Sequence, residues 1–178
     1  MSAANRFGPD TFGDPCRECG FAWSDSDVAA AAVVAAAPDV FDALLAGHSG
    51  TERHPALGWS AGAYVCHVAD NLRIWAERLA ALAGAPPGGA LPVAPYDQDA
   101  LARVRRYEEI AVAGALWSLR RAAADWHRAV ASAGRADVTM VHPERGVLGR
   151  SDVVRTNAHD TAHHVHDVRR ILSAPKTD

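Results

Sequence analysis

Clusters of glycine and proline divide this 178-residue sequence into four long stretches that have helical periodicity. The strongest break is GAPPGG at 84–89, which no helix can cross because proline lacks the backbone donor and glycine disfavours the helical state. Helices are predicted at about 26–45, 60–82, 98–133 and 151–173. Four long helices with one apolar face each predict an all-α four-helix bundle. The connection at 84–96 leaves room for a crossover, so simple up-down order is not implied.

Two shorter regions lie outside the predicted helices. Residues 137–150, DVTMVHPERGVLGR, favour a short hairpin or an extended loop before the last helix. Residues 1–25 are punctuated by glycine and proline and predict an N-terminal arm that carries a CxxC motif. The expected organisation is therefore this arm followed by one bundle domain at 26–178.

Composition and charge narrow the class of protein. Apolar residues make up 49% of the chain, which is typical of a globular domain. A formal net charge of −3 gives no general basic surface, so nucleic acid is not an expected partner. We identify neither a membrane-spanning stretch nor a hydrophobic signal core, so a cytoplasmic protein without a membrane partner is expected.

The CxxC motif of the arm is the segment CRECG, which contains Cys16 and Cys19. Gly20 allows a tight turn, so both thiolates could face one metal ion and supply half of a tetrahedral zinc site. A histidine or a second chain would have to complete that second metal site. The alternative is a pair of reduced thiols in an ordered arm.

Histidines are concentrated in NAHDTAHHVHDV at 157–168, inside the last predicted helix. Because residues four apart lie about 40° from each other on a helix, His159 and His163 can bind one ion. His163 and His166 form a second candidate pair. His164 is turned about 100° from His163 and is expected to face elsewhere.

A third ligand has to come from another helix, and His67 is the best candidate. It lies among apolar residues in the second predicted helix, where an unpartnered imidazole would cost desolvation energy. Three histidine ligands leave a coordination position open, which is characteristic of catalytic metal sites.

Several motifs resemble those of the DinB-like superfamily of metal-binding four-helix bundles. They are Trp59-Ser60 before the second helix, His67 in VCHVAD, a PERG turn at 143–146, and HDTAHHVHDV in the last helix. The resemblance implies that His67, His159 and His163 bind a divalent metal, zinc first, with nickel or iron as alternatives.

The branch that is most similar contains mycothiol-dependent maleylpyruvate isomerase and thiol S-transferases. This resemblance implies a metal-dependent thiol S-transferase or isomerase, with a low-molecular-weight thiol as cosubstrate and a small electrophile as substrate. A metal-dependent hydrolase that activates water at the same site is one alternative. A non-enzymatic metal-binding protein is the other.

Substrate-binding candidates are predicted from their positions relative to the histidines. Asn71 and Trp75 follow His67 on the same helical face, and Trp59 precedes that helix. Arg155 lies four residues before His159 and could bind a substrate carboxylate. The alternatives are core packing for the two tryptophans and a solvated helix face for Arg155. The Ala-rich first helix leaves a homodimer open.

Overall fold

Helices dominate the computed structural model, which describes residues 7–86, 88–133 and 138–174. The helices are α1 (Pro9–Phe12), α2 (Asp27–Leu45), α3 (Ala61–Ala83), α4 (Gln98–Arg105), α5 (Val112–Ser132) and α6 (Arg150–Ser173), with a 3₁₀ turn at Tyr107–Glu109. The strands are β1 (Ala90–Pro92), β2 (Thr139–His142) and β3 (Gly146–Leu148). The outermost residues of the predicted arm and bundle, 1–6 and 175–178, lie outside the described residues.

The four long helices α2, α3, α5 and α6 form the predicted bundle. Helix α3 packs against α5 and α6, and α2 packs against the same two helices. Helices α2 and α3 therefore lie diagonally across the bundle although they follow each other in the chain. The loop between α2 and α3 therefore makes the diagonal step, whereas the connection at 84–96, where the sequence leaves room for a crossover, leads through α4 to the neighbouring helix α5.

Local capping fixes where three of these helices begin. The hydroxyls of Ser26 and Ser60 accept hydrogen bonds from the backbone N–H groups of Ala29 and Ala63, at the starts of α2 and α3. At the start of α6, the N–H of Gly149 donates to the carboxylate of Asp152. These polar contacts satisfy backbone groups that a helix end leaves without partners.

The third predicted helix is divided, which corrects the prediction of one continuous helix to residue 133. Arg106 adopts a left-handed backbone conformation with φ of 55°, and the 3₁₀ turn follows it. On either side of this break, Arg105 Nη1 and the Tyr107 hydroxyl each lie 2.5 Å from a carboxylate oxygen of the buried Asp70 on α3. A straight helix could not present both side chains to one carboxylate.

A three-stranded sheet occupies the region where a hairpin or extended loop was predicted. Strands β2 and β3 are antiparallel, with Met140 opposite Leu148. Strand β1, inside the 84–96 connection, pairs in parallel with β2 and was not predicted. The sheet fixes the turn between β2 and β3, which contains Arg145.

Helix α2 is 19 residues long, and an 18-residue window within it has a mean hydropathy of 1.8, which by length and composition alone would allow it to span a membrane. A core helix of a globular domain passes the same two criteria, so the expectation that no stretch spans a membrane stays a prediction. The helix owes its hydropathy mainly to valine and alanine and runs without interruption through Pro38. Its buried residues Val34, Ala37 and Phe41 belong to the core of the bundle.

Candidate metal centre

His67 on α3 and the pair Asp160 and His164 on α6 form a cluster of metal-ligand atoms. One ligand atom from each residue lies within 4.8 Å of the other two. Asp160 Oδ1 lies 3.8 Å from Nε2 of His67 and 3.6 Å from Nε2 of His164. Two imidazole nitrogens and one carboxylate oxygen therefore converge from two helices on a common point.

Outer polar contacts orient both ligands on α6. Nδ1 of His164 lies 3.0 Å from Oδ2 of Asp167, which leaves Nε2 to face the cluster. Asn71 Nδ2 donates to Oδ2 of Asp160 over 2.8 Å, which leaves Oδ1 to face the histidines. Asn71 is itself held by a 2.9 Å hydrogen bond from the Tyr96 hydroxyl to its Oδ1. Partners of this kind commonly fix the tautomer and the orientation of metal-binding side chains.

Within the cluster, the carboxylates of Asp160 and Asp167 favour the protonated form of the His164 ring. Burial disfavours the charged form of His164, but Asp160 and Asp167 outweigh it and raise the pKa of His164 to about 9. Burial also opposes ionisation of Asp160, yet His164 and His67 bring the pKa of this carboxyl well below its usual range. A metal ion would take the place of the proton on His164, since metal-binding histidines are neutral.

Aromatic rings surround the two histidines of the cluster. The ring of His67 is buried, lies 5.0 Å from Trp59 and meets His164 edge-on at 4.8 Å between centroids. Tyr64 lies 5.0 Å from His164. These contacts restrict the rotamers of both imidazoles, so the ligand atoms are pre-organised.

Asp160 and His164 border a cavity of about 220 Å³. Its lining also contains two phenylalanines, several polar side chains and one cation, namely Phe7, Phe12, Asn71, Gln98, Arg145, Thr156, Asn157, His159 and His163. The cavity therefore offers a small ligand both apolar surface and a positive charge beside the cluster.

The cation is Arg145 of the PERG turn. Its guanidinium carbon lies 3.9 Å from the centroid of the Phe7 ring and 5.1 Å from that of Trp75. Within the described part of the chain, Nε of Arg145 is buried and has no hydrogen-bond partner. Burial lowers the pKa of Arg145, and the nearby Asp160 opposes that shift. A half-buried guanidinium with an unused donor is suited to bind an anionic group of a substrate.

A second cluster joins the arm to α6. Ligand atoms of Cys16, Cys19, His159 and His163 all lie within 4.8 Å of one another. Burial raises the pKa of the Cys19 thiol to about 11, although the backbone N–H of Phe21 favours the thiolate. Burial, together with the neighbouring His163, lowers the pKa of His159 to about 4. The CxxC half-site predicted from the sequence is thus next to two histidines of the same chain.

The structure separates the predicted metal ligands His67, His159 and His163. His67 is grouped with Asp160 and His164, whereas His159 and His163 are grouped with the two cysteines of the arm. On α6, Asp160 and His164 form one pair, and His159 and His163 form the other. Each pair has a four-residue spacing, and the two pairs are offset by one residue, which is about 100° around the helix. Helix α3 faces one of these sides and the arm faces the other. His164 does point to a different side of α6 from His163, as expected, but its side is the one that faces His67.

The predicted substrate-binding residues have different environments. Asn71 lines the cavity, and the fully buried Trp75 lies beneath the guanidinium groups of Arg78 and Arg145. Trp59 packs against His67. Arg155 donates to the backbone oxygen of Asp25 over 3.3 Å and pairs with Asp27, so it is directed toward the junction of arm and α2 instead of the cavity.

Sequence reasoning did not place Asp160 and His164 in one cluster with His67, and it gave no role to Arg145 of the cavity. The sequence contains the spacing that would have indicated Asp160 and His164, because these two residues are four apart on the predicted helix. Arg145 lies in the PERG turn, which served as a family motif without a role for its arginine.

Fold and cluster together define a four-helix bundle with a ligand set suited to a divalent metal. The sequence model of the DinB superfamily matches residues 34–168, and the chain belongs to this superfamily. The matched segment contains His67 and all of the α6 histidines, whereas Cys16 and Cys19 precede it.

Among solved structures, the chain is similar to YfiT from Bacillus subtilis, described as "a probable metal-dependent hydrolase with an unusual four-helix bundle topology". The TM-score is 0.69 at 15% sequence identity, and the alignment covers 83% of this chain and 86% of YfiT. This likeness supports the fold. The search of curated proteins yields no match.

Proposed function

We propose that His67, Asp160 and His164 bind a divalent metal ion and that the protein is a metal-dependent enzyme. The observation that carries the proposal is the convergence of Nε2 of His67, Nε2 of His164 and Oδ1 of Asp160, which is supported from behind by Asp167 and Asn71. Three protein ligands beside a cavity are typical of catalytic metal sites, whereas structural sites commonly use four.

The donor set fits the expected metals. Two imidazoles and one carboxylate are accepted by zinc, and imidazole also suits nickel and iron, so zinc remains the first choice. When bound, the metal would act as a Lewis acid and lower the pKa of a thiol or water in the cavity. Asp160 contributes one negative charge, which lowers the cost of bringing a dication into a partly buried site.

We propose a low-molecular-weight thiol, of the mycothiol kind, as the nucleophile and a small electrophile with an anionic group as the substrate. The motif resemblance supports the thiol. A free thiol has a pKa near 8.5, so it needs far less help to ionise than water does. Arg145 would bind the anionic group of one ligand, and Phe7 and Phe12 would exclude water around it.

Hydrolysis at the same site is the second candidate. The description of YfiT favours it, and a ligand set of two histidines and one carboxylate also occurs in zinc hydrolases. The two candidates share all the roles assigned to the chain's own residues and differ only in the nucleophile.

A thiol titration separates the two candidates. Purified metal-loaded protein is titrated with mycothiol, bacillithiol and glutathione while the melting temperature is followed. We expect one thiol to raise the melting temperature by mass action, and we expect His164→Ala to abolish this shift. The matched control is His166→Ala, on the same helix but in neither ligand cluster, which should keep the shift. A metal-loaded protein that responds to none of the thiols contradicts the thiol proposal and favours hydrolysis.

A further inference from the structure

We propose that Cys16, Cys19, His159 and His163 form a second, structural metal site of the tetrahedral zinc type, distinct from the cluster around Asp160. The four residues come from two places in the chain, the CRECG turn of the arm and one face of α6. The proposal goes beyond the proposed function, and it is independent of whether the first cluster is catalytic.

The CRECG turn places its two cysteines side by side. The N–H of Gly20 donates to the backbone oxygen of Cys16 over 2.9 Å, and the N–H of Cys16 donates to that of Phe21 over 2.8 Å. Gly20 has a φ of +76°, a conformation that residues with a side chain rarely adopt. The chain therefore reverses within this turn, and both sulfur atoms join one cluster with α6.

The distances fit a metal that is bound by four ligands. Zinc–sulfur bonds near 2.3 Å and zinc–nitrogen bonds near 2.0–2.1 Å place tetrahedral ligand atoms roughly 3.3–3.8 Å apart. The four atoms here lie within 4.8 Å of one another, and Cys16 Sγ is 3.9 Å from Nδ1 of His163. A contraction of at most about 1.0–1.5 Å between any two of these atoms would complete the coordination sphere.

One buried polar atom of this cluster, Nε2 of His159, lacks a hydrogen-bond partner among the described residues. Cys16 is 3% exposed and His159 is 5% exposed. The rings of Phe12 and Trp23 lie 4.6 and 4.5 Å from the imidazole of His159. Leaving such an atom unpaired among aromatic rings costs free energy, and coordination of a metal would remove that cost.

Glu18 gives the cluster an outer partner. Its carboxylate lies 3.4 Å from Nε2 of His163, while Nδ1 of the same ring faces Cys16. A carboxylate on the far nitrogen of a ligating imidazole is a recurrent feature of metal sites. Glu18 is part of the CRECG turn, so one turn supplies two ligands and the group that orients a third.

A closed set of four protein ligands predicts a structural role. The metal would attach the arm to α6 and thereby fix one wall of the cavity, since Phe12, His159 and His163 line it beside Asp160. Both metal sites would then use α6, through pairs of ligands offset by one residue.

Metal counting on the full-length protein tests the proposal. The protein is purified with reductant and zinc, and bound zinc is measured by plasma mass spectrometry after dialysis. We expect two zinc ions per chain, and Cys19→Ser should lose one. Cys66→Ala, which removes a buried cysteine of α3 outside the clusters, should keep both. A cobalt-substituted sample should show thiolate-to-cobalt charge transfer that disappears in Cys19→Ser and persists in Asp160→Asn.

The outcomes separate this site from the proposed catalytic one. A single zinc that is lost in Cys19→Ser and kept in Asp160→Asn supports the structural site and contradicts the proposed function. A single zinc that is kept in Cys19→Ser and lost in Asp160→Asn overturns the structural site. A Cys16–Cys19 disulfide in place of the metal overturns it as well. If Cys19→Ser fails to fold, His163→Cys provides the test, because three cysteines and one histidine also bind zinc. Cobalt-loaded His163→Cys should gain thiolate absorption, and an unchanged spectrum contradicts the site.

Discussion

The carboxylate of Asp167 lies 3.0 Å from Nδ1 of His164, one helical turn along α6. On the other side of the same ring, Asp160 Oδ1 lies 3.6 Å from Nε2. The imidazole is thus placed between two carboxylates that face its two nitrogens. Asp160 is positioned to share a metal with His164, whereas Asp167 can only act on the metal through the ring.

Replacing Asp167 by Asn should weaken metal binding at the His67 cluster by about 10–100-fold. The amide keeps the size of the side chain but loses the charge that holds the tautomer and increases the basicity of the ring. The measurement is a competition titration with a chromogenic chelator. Asp125→Asn, at a half-buried position on α5 where the carboxylate pairs with Arg128, is the control and should leave the affinity unchanged. An unaltered affinity in Asp167→Asn would remove Asp167 from this role.

Replacing Arg145 by Gln should weaken the binding of small carboxylates in the cavity. A hydrogen bond to a charged group is worth about 1.5–3 kcal/mol, which corresponds to roughly 10–150-fold in affinity. Succinate is a suitable probe, with its dissociation constant measured by calorimetry on metal-loaded protein. The exposed Arg121 on α5 gives the matched control Arg121→Gln. Equal affinities in wild type and Arg145→Gln would show that the guanidinium does not bind the anion.

Replacing Asp70 by Asn should destabilise the fold without removing either metal. Asp70 is buried and accepts hydrogen bonds from Arg73, Arg105 and Tyr107, so it connects α3 to the divided region after α4. Loss of these charge-assisted bonds should lower the free energy of unfolding by about 1–3 kcal/mol. Thermal or urea unfolding measures it, with the exposed Glu77→Gln of the same helix as control. A stability equal to that of wild type would contradict this role.

The bundle could be predicted from the sequence because helix breakers and caps act locally. Ser60 and GAPPGG define α3 from neighbouring residues alone. The division of the third predicted helix could not be derived in that way, since it depends on the contact of Arg105 and Tyr107 with Asp70 on another helix. Strand β1 also depends on a distant partner, β2, which is too far along the chain to show in local periodicity.

The sequence predicts a metal site between α6 and His67, but it does not determine which of two residue pairs on α6 faces His67. Helical spacing indicates that pairs four residues apart on α6 can share an ion, and the structure brings one such pair, Asp160 and His164, to His67 on a second helix. Two such pairs, offset by one residue, satisfy this spacing equally well. Which pair faces His67 depends on the rotation of α6 in the bundle and on the arm that covers the other side. Neither can be derived from the sequence of α6 alone.

The most direct test compares two neighbouring residues, His163 and His164, in protein in which Cys16 and Cys19 are both replaced by Ser. This background removes the second site, and circular dichroism confirms that each variant is folded. Zinc affinity is then measured by calorimetry. The account predicts that His164→Ala abolishes tight binding of the remaining zinc and that His163→Ala leaves it unchanged. Tight binding that survives His164→Ala but is lost in His163→Ala would contradict the ligand set of His67, Asp160 and His164.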